Sequence, residues 1–248
     1  MNIAVCISQT PDTTAKIVIA QDGKTIDSKG VKFILNPYDE FAVEEALRRK
    51  EATSGTVTIV CVGDDSAKET IRVALAMGAD KGILIKDIVK SDSYSIAENL
   101  ADTLKVLGAD IIFMGRQSID FDSAQMGPTV AAMMSIPFVS FVTKLEINGK
   151  SIIAERDIEG GKEVVETSLP CIITTQKGLN EPRYPKLPDI MKAKSKPIDE
   201  KNSISETIRV VTKSMSNPAA KQGGKILDYS PENVKELVRL LHEEAKVI

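Results

Sequence analysis

Residues 115–127 read Gly-Arg-Gln-Ser-Ile-Asp-Phe-Asp-Ser-Ala-Gln-Met-Gly, a polar loop between an apolar run and a helical pattern. The run before it, Ile-Ile-Phe-Met at 111–114, is typical of a parallel strand that is buried on both faces. Apolar residues at 130, 131, 133 and 134 predict one face of a helix, whose start Asp122 or Ser123 can cap. The stretch therefore predicts a strand, a loop and a helix in direct succession.

Such a strand-to-helix corner is where open α/β sheets bind ligands. Backbone N–H groups at a helix N-terminus point outward and attract anions such as phosphate. No Gly-x-Gly-x-x-Gly or Walker-type pattern occurs in the chain. The residues alone therefore leave two interpretations open, a phosphate site or an ordinary polar connection.

The alternation of strand and helix extends in both directions from this corner. Strand-like runs lie at residues 2–7, 56–62, 82–85 and 111–114, and helical patterns separate them. One helix is predicted from Pro37 to about Ala52, one ends near Gly78, and one covers 94–107. Strands that alternate with helices form parallel sheets with right-handed connections. The sequence therefore predicts an α/β fold with a doubly wound, mostly parallel sheet.

After residue 135 the pattern becomes β-rich. Segments at 139–147, 152–157 and 164–168 are joined by turns of the hairpin type, Asn-Gly-Lys and Glu-Gly-Gly. Residues 169–175 predict one more buried strand. We therefore expect an α/β domain over residues 1–178 that carries a β-rich extension.

The last 70 residues predict a long arm that ends in a helix. From residue 177 to about 231 the chain has six prolines and few apolar runs, so we expect an exposed arm with only short regular pieces. Ser230 can cap a final helix, and its apolar stripe has to pack against another surface, such as a partner chain. The stripe consists of Val234, Leu237, Val238, Leu241, Ala245 and Ile248.

Composition excludes several functional classes. The net charge of −3 and the pI near 5.5 give no basic field, so nucleic-acid binding is not expected. No apolar run approaches the roughly 20 residues of a membrane span, and the N-terminus enters a strand without a signal-peptide pattern, which favours a cytoplasmic location.

The three cysteines are expected to be buried free thiols. A single histidine, His242, leaves no metal site and no histidine-dependent catalytic constellation.

Four motifs carry a resemblance to a known family. They are Asn-Pro-Tyr-Asp at 36–39, Glu-Thr-Ile-Arg followed by Ala-Leu-Ala-Met-Gly-Ala-Asp within 69–80, Gly-Arg-Gln-Ser-Ile-Asp at 115–120, and the segment 179–194. The last contains Leu-Asn-Glu-Pro-Arg-Tyr and Leu-Pro-Asp-Ile-Met-Lys-Ala-Lys. In this order they resemble the beta subunit of electron transfer flavoprotein over nearly the whole chain.

The resemblance implies a Rossmann-like, adenine-nucleotide-binding fold and a heterodimer. The alpha partner would hold most of a redox-active FAD, and this subunit would hold AMP. Such a beta subunit is not an enzyme alone. The family accepts electrons from dehydrogenases, typically the acyl-CoA dehydrogenases of fatty acid beta-oxidation, and a quinone-linked oxidoreductase passes them to the quinone pool.

By position, the resemblance also implies functional residues. The segments expected to contact AMP contain Cys6, Asn36, Pro37, Tyr38, Asp39, Val62, Asp120, Phe121, Asp122, Ser123, Ala124, Gln125 and Met126. Tyr38 matches an aromatic residue that approaches the alpha-held flavin, although it could also be a packing residue at the start of a helix. Leu187 matches the leucine by which the family captures dehydrogenases, and cations that include Arg183 surround it. The alternative is that Leu187 packs the arm onto its own sheet.

Departures from the family pattern leave the identity of the nucleotide open. Ala124-Gln125-Met126 stands where AMP-binding members commonly have Asn-Gln-Thr, which removes a hydroxyl group. Electron-bifurcating members bind a second FAD here and carry Asp-Gly-Asp-Thr-Ala-Gln-Val-Gly, but Phe121 replaces the glycine. The arm at 180–194 resembles non-bifurcating members. We therefore expect AMP, with a second FAD as the alternative.

Two rival functions remain on the same fold. An ATP-using enzyme should carry His-x-Gly-His or a Ser-Gly-Gly phosphate loop, and neither occurs. A nucleotide-sensing module would act as a homodimer. The long arm and the amphipathic terminal helix favour a different partner chain instead.

Overall fold

The computed structural model describes residues 1–86, 92–204, 207–219 and 223–248. Its first half contains β1 (Asn2–Ile7), β2 (Gln9–Pro11), β3 (Phe33–Leu35), α1 (Pro37–Thr53), β4 (Thr56–Gly63), α2 (Ala67–Met77), β5 (Lys81–Lys86), α3 (Ser93–Leu107), β6 (Ile111–Gly115) and α4 (Met126–Met134). The second half contains β7 (Phe138–Asn148), β8 (Ser151–Ile158), β9 (Gly161–Ser168), β10 (Cys171–Thr175), α5 (Leu187–Ala193), β11 (Ile198–Asn202) and α6 (Pro231–Arg239).

One large sheet organises the molecule. Its strand order is β11-β5-β4-β1-β6-β10-β7-β8-β9. Neighbouring strands from β11 to β7 pair in parallel, whereas β7, β8 and β9 pair antiparallel as consecutive hairpins. The predicted fold class, a mostly parallel α/β sheet with a β-rich extension, is confirmed.

Helices cover both faces of this sheet because successive strand residues point to opposite sides. On one face, Ile3 and Val5 of β1 share a buried cluster with residues of α1 and α2. On the other face, Ala4 and Cys6 share a cluster with residues of α3 and α4. The two clusters are the hydrophobic core, and they explain why the central strands read as continuous apolar runs.

The predicted arm contributes a strand to this sheet. Ile198–Asn202 forms β11, which pairs in parallel with β5 at the edge. Its sequence, Ile-Asp-Glu-Lys-Asn, has no apolar alternation, and most of its residues are exposed. An edge strand with charged side chains needs little burial and resists pairing with other chains. The division of the chain after residue 178 stays a prediction.

Two local expectations are wrong. Neither Asp122 nor Ser123 caps α4, since the residue before the helix is Gln125 and no side chain makes a cap hydrogen bond. The terminal helix is capped by Ser230 as predicted, but α6 ends at Arg239 and continues as a π-helical turn, Leu240–Glu244. Ala245 and Ile248 therefore lie beyond the helical stripe.

The rest of that stripe is only partly covered by the residues that the structure describes. Val234, Leu237 and Val238 are each about half exposed, at 51%, 47% and 51%. The three cysteines are buried free thiols, as expected. Within the described ranges, no helix combines the length and the apolar character that crossing a membrane requires.

Candidate nucleotide site at the carboxyl edge of the sheet

The carboxyl ends of three adjacent parallel strands form one edge of the sheet. β4, β1 and β6 are neighbours, so Val62, Cys6 and the loop that follows β6 come to the same edge. The start of α1, residues 36–39, joins them there through the contacts described below. The segments named from the resemblance are therefore brought together at the edge where open α/β sheets bind ligands.

Asn36 ties three of these segments to one another. Its side-chain nitrogen donates to the Gln117 carbonyl oxygen at 2.9 Å, and its side-chain oxygen accepts from the Ile119 N–H at 3.3 Å. Its backbone N–H donates to the Ser8 carbonyl oxygen at 3.0 Å. The residue is fully buried. Asn36 therefore positions the loop after β6 instead of turning its amide toward a ligand.

Asp39 joins the ends of β1 and β6. One carboxylate oxygen accepts hydrogen bonds from the Ser8 N–H at 2.7 Å and the Ser8 hydroxyl at 2.9 Å. The other accepts from the Gly115 N–H at 2.9 Å. Burial raises the pKa of this carboxyl group to about 6, although the hydrogen bonds from Ser8, Asn36 and Gly115 oppose the rise. Its side chain, like that of Asn36, is used inside the protein.

The guanidinium group of Arg116 lies over the ring of Tyr38. The guanidinium carbon lies 5.4 Å from the centre of the Tyr38 ring and 4.9 Å from that of Phe141, within the range of cation–π attraction. Its nitrogens also donate to the side-chain oxygens of Gln117 at 3.1 Å and Gln176 at 3.0 Å. Tyr38, which is half-buried, is thus fixed at the start of α1.

Sequence reasoning missed the role of Arg116, although the residue lies inside the quoted motif. Phe141 stands on β7 in a left-handed conformation with φ 56°, next to an irregularity in the pairing of β7 with its neighbours. Its N–H donates to the Thr174 hydroxyl at 3.1 Å. An arginine directly after a buried strand was the available signal, but its two aromatic partners are distant in sequence.

The loop from Asp120 to Met126 is the exposed part of the site. Phe121 is 79% exposed, and Asp122 and Ala124 adopt left-handed conformations with φ 50° and 51°. Asp122 accepts a hydrogen bond from the Gln117 side chain at 2.6 Å, so its carboxylate is held within the loop. A left-handed alanine is strained, which indicates that the surrounding contacts determine the path of this loop.

The start of α4 is pressed against the sheet at Gly127. A Cβ atom there would lie 2.6 Å from the Thr174 methyl carbon and 2.8 Å from the Phe138 ring. Only glycine permits this approach, which places the first turn of α4 beside β10 and β7. Since Gln125 makes no side-chain cap hydrogen bond, the amides of Met126 and Gly127 keep their capacity to bind an anion, whereas Pro128 has no N–H.

A cleft of about 510 Å³ lies beside Arg116. Its described lining is Arg116, Phe141, Arg156, Asp157, Ile158, Glu159 and Gln176. The charged groups are largely paired: Arg156 donates to Ser140 at 2.7 Å and to Glu163 at 2.6 Å, and Gln176 donates to Asp157 at 2.9 Å. None of the residues predicted to contact AMP lines this cleft.

The predicted docking residues lie on the arm, away from this edge. Leu187 is the first residue of α5 and is 73% exposed, so it does not pack onto the sheet. Arg183 is paired with Glu44, at 2.7 Å, and with Glu51. These pairs raise the pKa of the Arg183 guanidinium further above its usual range. Arg183 therefore anchors the arm to α1 instead of presenting a free positive charge beside Leu187.

The described residues contain no group of three or more His, Cys, Asp or Glu side chains placed to hold a metal ion. The candidate site is therefore described by its backbone amides, by buried polar side chains and by the Tyr38 ring. This arrangement can bind a phosphate-containing ligand through its backbone amides.

Comparison with known proteins agrees with this architecture. A family profile described as "Electron transfer flavoprotein domain" matches residues 23–205. The chain is 44% identical to the electron transfer flavoprotein subunit beta of Bacillus subtilis (strain 168) and 39% identical to that of Bradyrhizobium diazoefficiens, over the full length of each chain. It is also 40% identical to Protein FixA of Azotobacter vinelandii, covering 78% of this chain and 72% of the relative. By these matches, the chain belongs to the beta-subunit family of electron transfer flavoproteins.

Proposed function

We propose that this chain holds AMP and pairs with an alpha subunit that holds most of a redox-active FAD. One observation carries the proposal. The carboxyl ends of β1, β4 and β6, the start of α1 and the uncapped N-terminus of α4 meet at one edge of the sheet. The phosphate of AMP would lie against the amides of residues 123–126, as anions do at helix N-termini.

The described residues also fit a role beside a flavin held by another chain. Tyr38 is half-buried, and Arg116 of the same chain lies over its ring. A bound FAD would supply the redox chemistry by accepting and donating electrons. This chain would orient the flavin through Tyr38 and would have no catalytic activity alone.

The nucleotide is tested by mass spectrometry of the denatured, purified heterodimer. One AMP and one FAD per heterodimer support the proposal. Two FAD molecules per heterodimer favour the alternative, an electron-bifurcating member with a second FAD at this edge. One FAD with no other adenine nucleotide would refute a nucleotide site in this chain. Size-exclusion chromatography distinguishes both heterodimers, the one with AMP and the one with a second FAD, from a homodimeric nucleotide sensor. Such a sensor would form a dimer without an alpha subunit.

We further propose that Leu187 is the contact by which this protein binds an electron-donating dehydrogenase, with acyl-CoA dehydrogenases as the expected class. The leucine is mostly exposed at the start of α5, and the prolines at 185 and 188 restrict the chain on both sides. An apolar side chain on a restricted segment suits a small hydrophobic pocket, because less conformational entropy is lost on binding. Electrons would then pass through the FAD toward the quinone pool by a quinone-linked oxidoreductase.

This docking role is tested with Leu187→Ala. Loss of an interface anchor of this size should weaken dehydrogenase binding by about 1–3 kcal/mol without changing the flavin content. Val106→Ala is a matched control, because Val106 is 74% exposed on α3, which covers the opposite face of the sheet. Unchanged flavin reduction kinetics with an acyl-CoA dehydrogenase in the Leu187→Ala protein would refute the role.

A further inference from the structure

The docking helix α5 is too short to be stable by its own hydrogen bonds. It has seven residues, whereas isolated helices shorter than about 12 residues are marginal in water. Leu187, Ile190 and Met191 are exposed, and Ala193 is its one buried residue. Apolar burial therefore secures only the end of the helix, so other contacts have to fix its position.

Arg72 of α2 provides such a contact at the C-terminal end of α5. Its guanidinium donates to the carbonyl oxygen of Ala193 at 2.6 Å and also to that of Lys196. The last carbonyl groups of a helix have no partner within the helix, and a cation there also interacts favourably with the helix dipole. One arginine therefore satisfies two carbonyl groups and fixes the turn that follows α5.

Lys196 makes the reciprocal contact. Its ammonium group donates to the carbonyl oxygens of Leu75 at 2.8 Å and Ala79 at 2.6 Å, at the C-terminal end of α2. Burial lowers the pKa of this lysine, with Lys50 nearby contributing in the same direction. Helix α2 and the turn after α5 thus each supply a cation to the carbonyl groups of the other.

The chain before α5 is fixed separately to α1. Arg183 is paired with Glu44 and Glu51, and the Asn180 side chain donates to the Phe41 carbonyl oxygen at 3.0 Å. The docking helix is therefore attached at both ends, and its exposed apolar side chains lie between the two attachments. A segment that is already ordered loses less conformational entropy when it binds a partner.

From these contacts we infer that Arg72 is a positioning residue for dehydrogenase docking: it holds the C-terminal end of α5 so that the exposed apolar side chains are presented in a fixed orientation. This inference rests on the proposed docking function of Leu187. Arg72 itself need not contact the dehydrogenase. Its effect is expected on the order of α5 and on binding, and not on the nucleotide or flavin content.

The test measures hydrogen exchange and binding in the intact heterodimer. Arg72→Gln should increase the exchange rates of the amides at residues 189–196 by about ten-fold or more, and weaken the Kd for an acyl-CoA dehydrogenase by a similar factor, as expected for losing hydrogen bonds to a charged donor. AMP and FAD content should not change. Lys105→Gln is a control that removes an exposed charge from α3.

Further variants separate the possible outcomes. Arg72→Lys keeps the charge but replaces the guanidinium nitrogen that donates to both carbonyl groups, so it should show an intermediate effect. This variant decides the question if the Arg72→Gln protein does not assemble. If Arg72 acts through Leu187, the double variant with Leu187→Ala should lose less affinity than the sum of the single losses.

The failure of this inference is distinguishable from the failure of the docking proposal. If Leu187→Ala leaves the Kd unchanged, the docking proposal itself is wrong. If Leu187→Ala weakens binding while both Arg72 variants keep wild-type exchange at residues 189–196 and wild-type Kd, only the positioning role is wrong. Arg72→Gln could also lower the affinity by the same factor in the wild-type and the Leu187→Ala backgrounds and release nucleotide. That result would indicate a general structural defect and would likewise overturn the positioning role of Arg72.

Discussion

Gly115→Ala should disrupt the candidate nucleotide site through a single added methyl group. The Cβ atom would lie 2.3 Å from a carboxylate oxygen of Asp39, 2.7 Å from the Tyr38 carbonyl carbon and 2.8 Å from the Asp39 nitrogen. Two of these atoms belong to the backbone at the start of α1. No side-chain rotation can relieve those contacts, so either α1 or the end of β6 has to move.

The free-energy cost has two parts. Overpacking of this kind typically destabilises a protein by about 1–3 kcal/mol. Moving the strand end from α1 also weakens the bond from the Gly115 N–H to Asp39, and an incompletely satisfied buried carboxylate costs about 1–3 kcal/mol more. The sum, roughly 2–6 kcal/mol, is a large fraction of the 5–15 kcal/mol that holds a typical domain folded.

Urea unfolding and nucleotide content together measure the effect. We expect Gly115→Ala to lower the unfolding midpoint and to reduce the adenine nucleotide released on denaturation. Gly161→Ala is the matched control, since a Cβ atom there meets nothing within 4 Å and the residue is exposed in β9. A wild-type midpoint and wild-type nucleotide content in Gly115→Ala would show that the contact between β6 and α1 does not determine the site.

Three further predictions concern other parts of the molecule. Since the pKa of Asp39 rises from 3.8 to about 6 on folding, the folded state binds its proton more tightly, and this carboxyl's contribution to stability should fall as the pH rises from 3.8 to 6. Urea midpoints across that range should show a smaller fall in Asp39→Asn, and equal pH profiles would contradict the assignment. Replacing Leu237 and Leu241 by Asp should prevent assembly with the alpha subunit by burying unpaired charges, so a wild-type heterodimer yield would refute the packing of the stripe. Burial raises the pKa of Cys61 and Cys171 to about 12, so a thiol reagent at pH 8 should label them only after denaturation, and rapid labelling of the folded protein would contradict their burial.

The central strands were predictable because strands that are buried on both faces consist mainly of consecutive apolar residues. β1 and β6 are covered on both faces, so both read as apolar runs with sharp ends. β11 was not predictable in this way. It lies at the edge of the sheet, and its pairing with β5 depends on backbone hydrogen bonds that charged residues also make. Its position is determined by the attachment of the preceding chain to α2.

The meeting of these segments at one edge of the sheet was predictable, whereas the contacts between them were not. The resemblance named Asn36 and Asp39 for the nucleotide, but both side chains are occupied by the protein itself. Their partners are the Ser8 hydroxyl and backbone groups of Ser8, Gly115, Gln117 and Ile119, which come close only when β1 and β6 pair. Sequence patterns of period 2 or 3.6 carry no information on such contacts between separate segments.

The first helix connects the candidate nucleotide site to the arm that carries Leu187. Asp39 in its first turn holds the strand ends at the site, and Glu44, five residues later, holds Arg183 of the arm. Glu44 is buried, and although burial alone would raise its pKa, hydrogen bonds from Arg183 and Arg48 hold the pKa below its usual value. Five residues of α-helix span about 7.5 Å and behave as a rigid rod. The separation between the nucleotide edge and the attachment point of the arm is therefore determined by one element, and a substitution that displaces the start of α1 should disturb both.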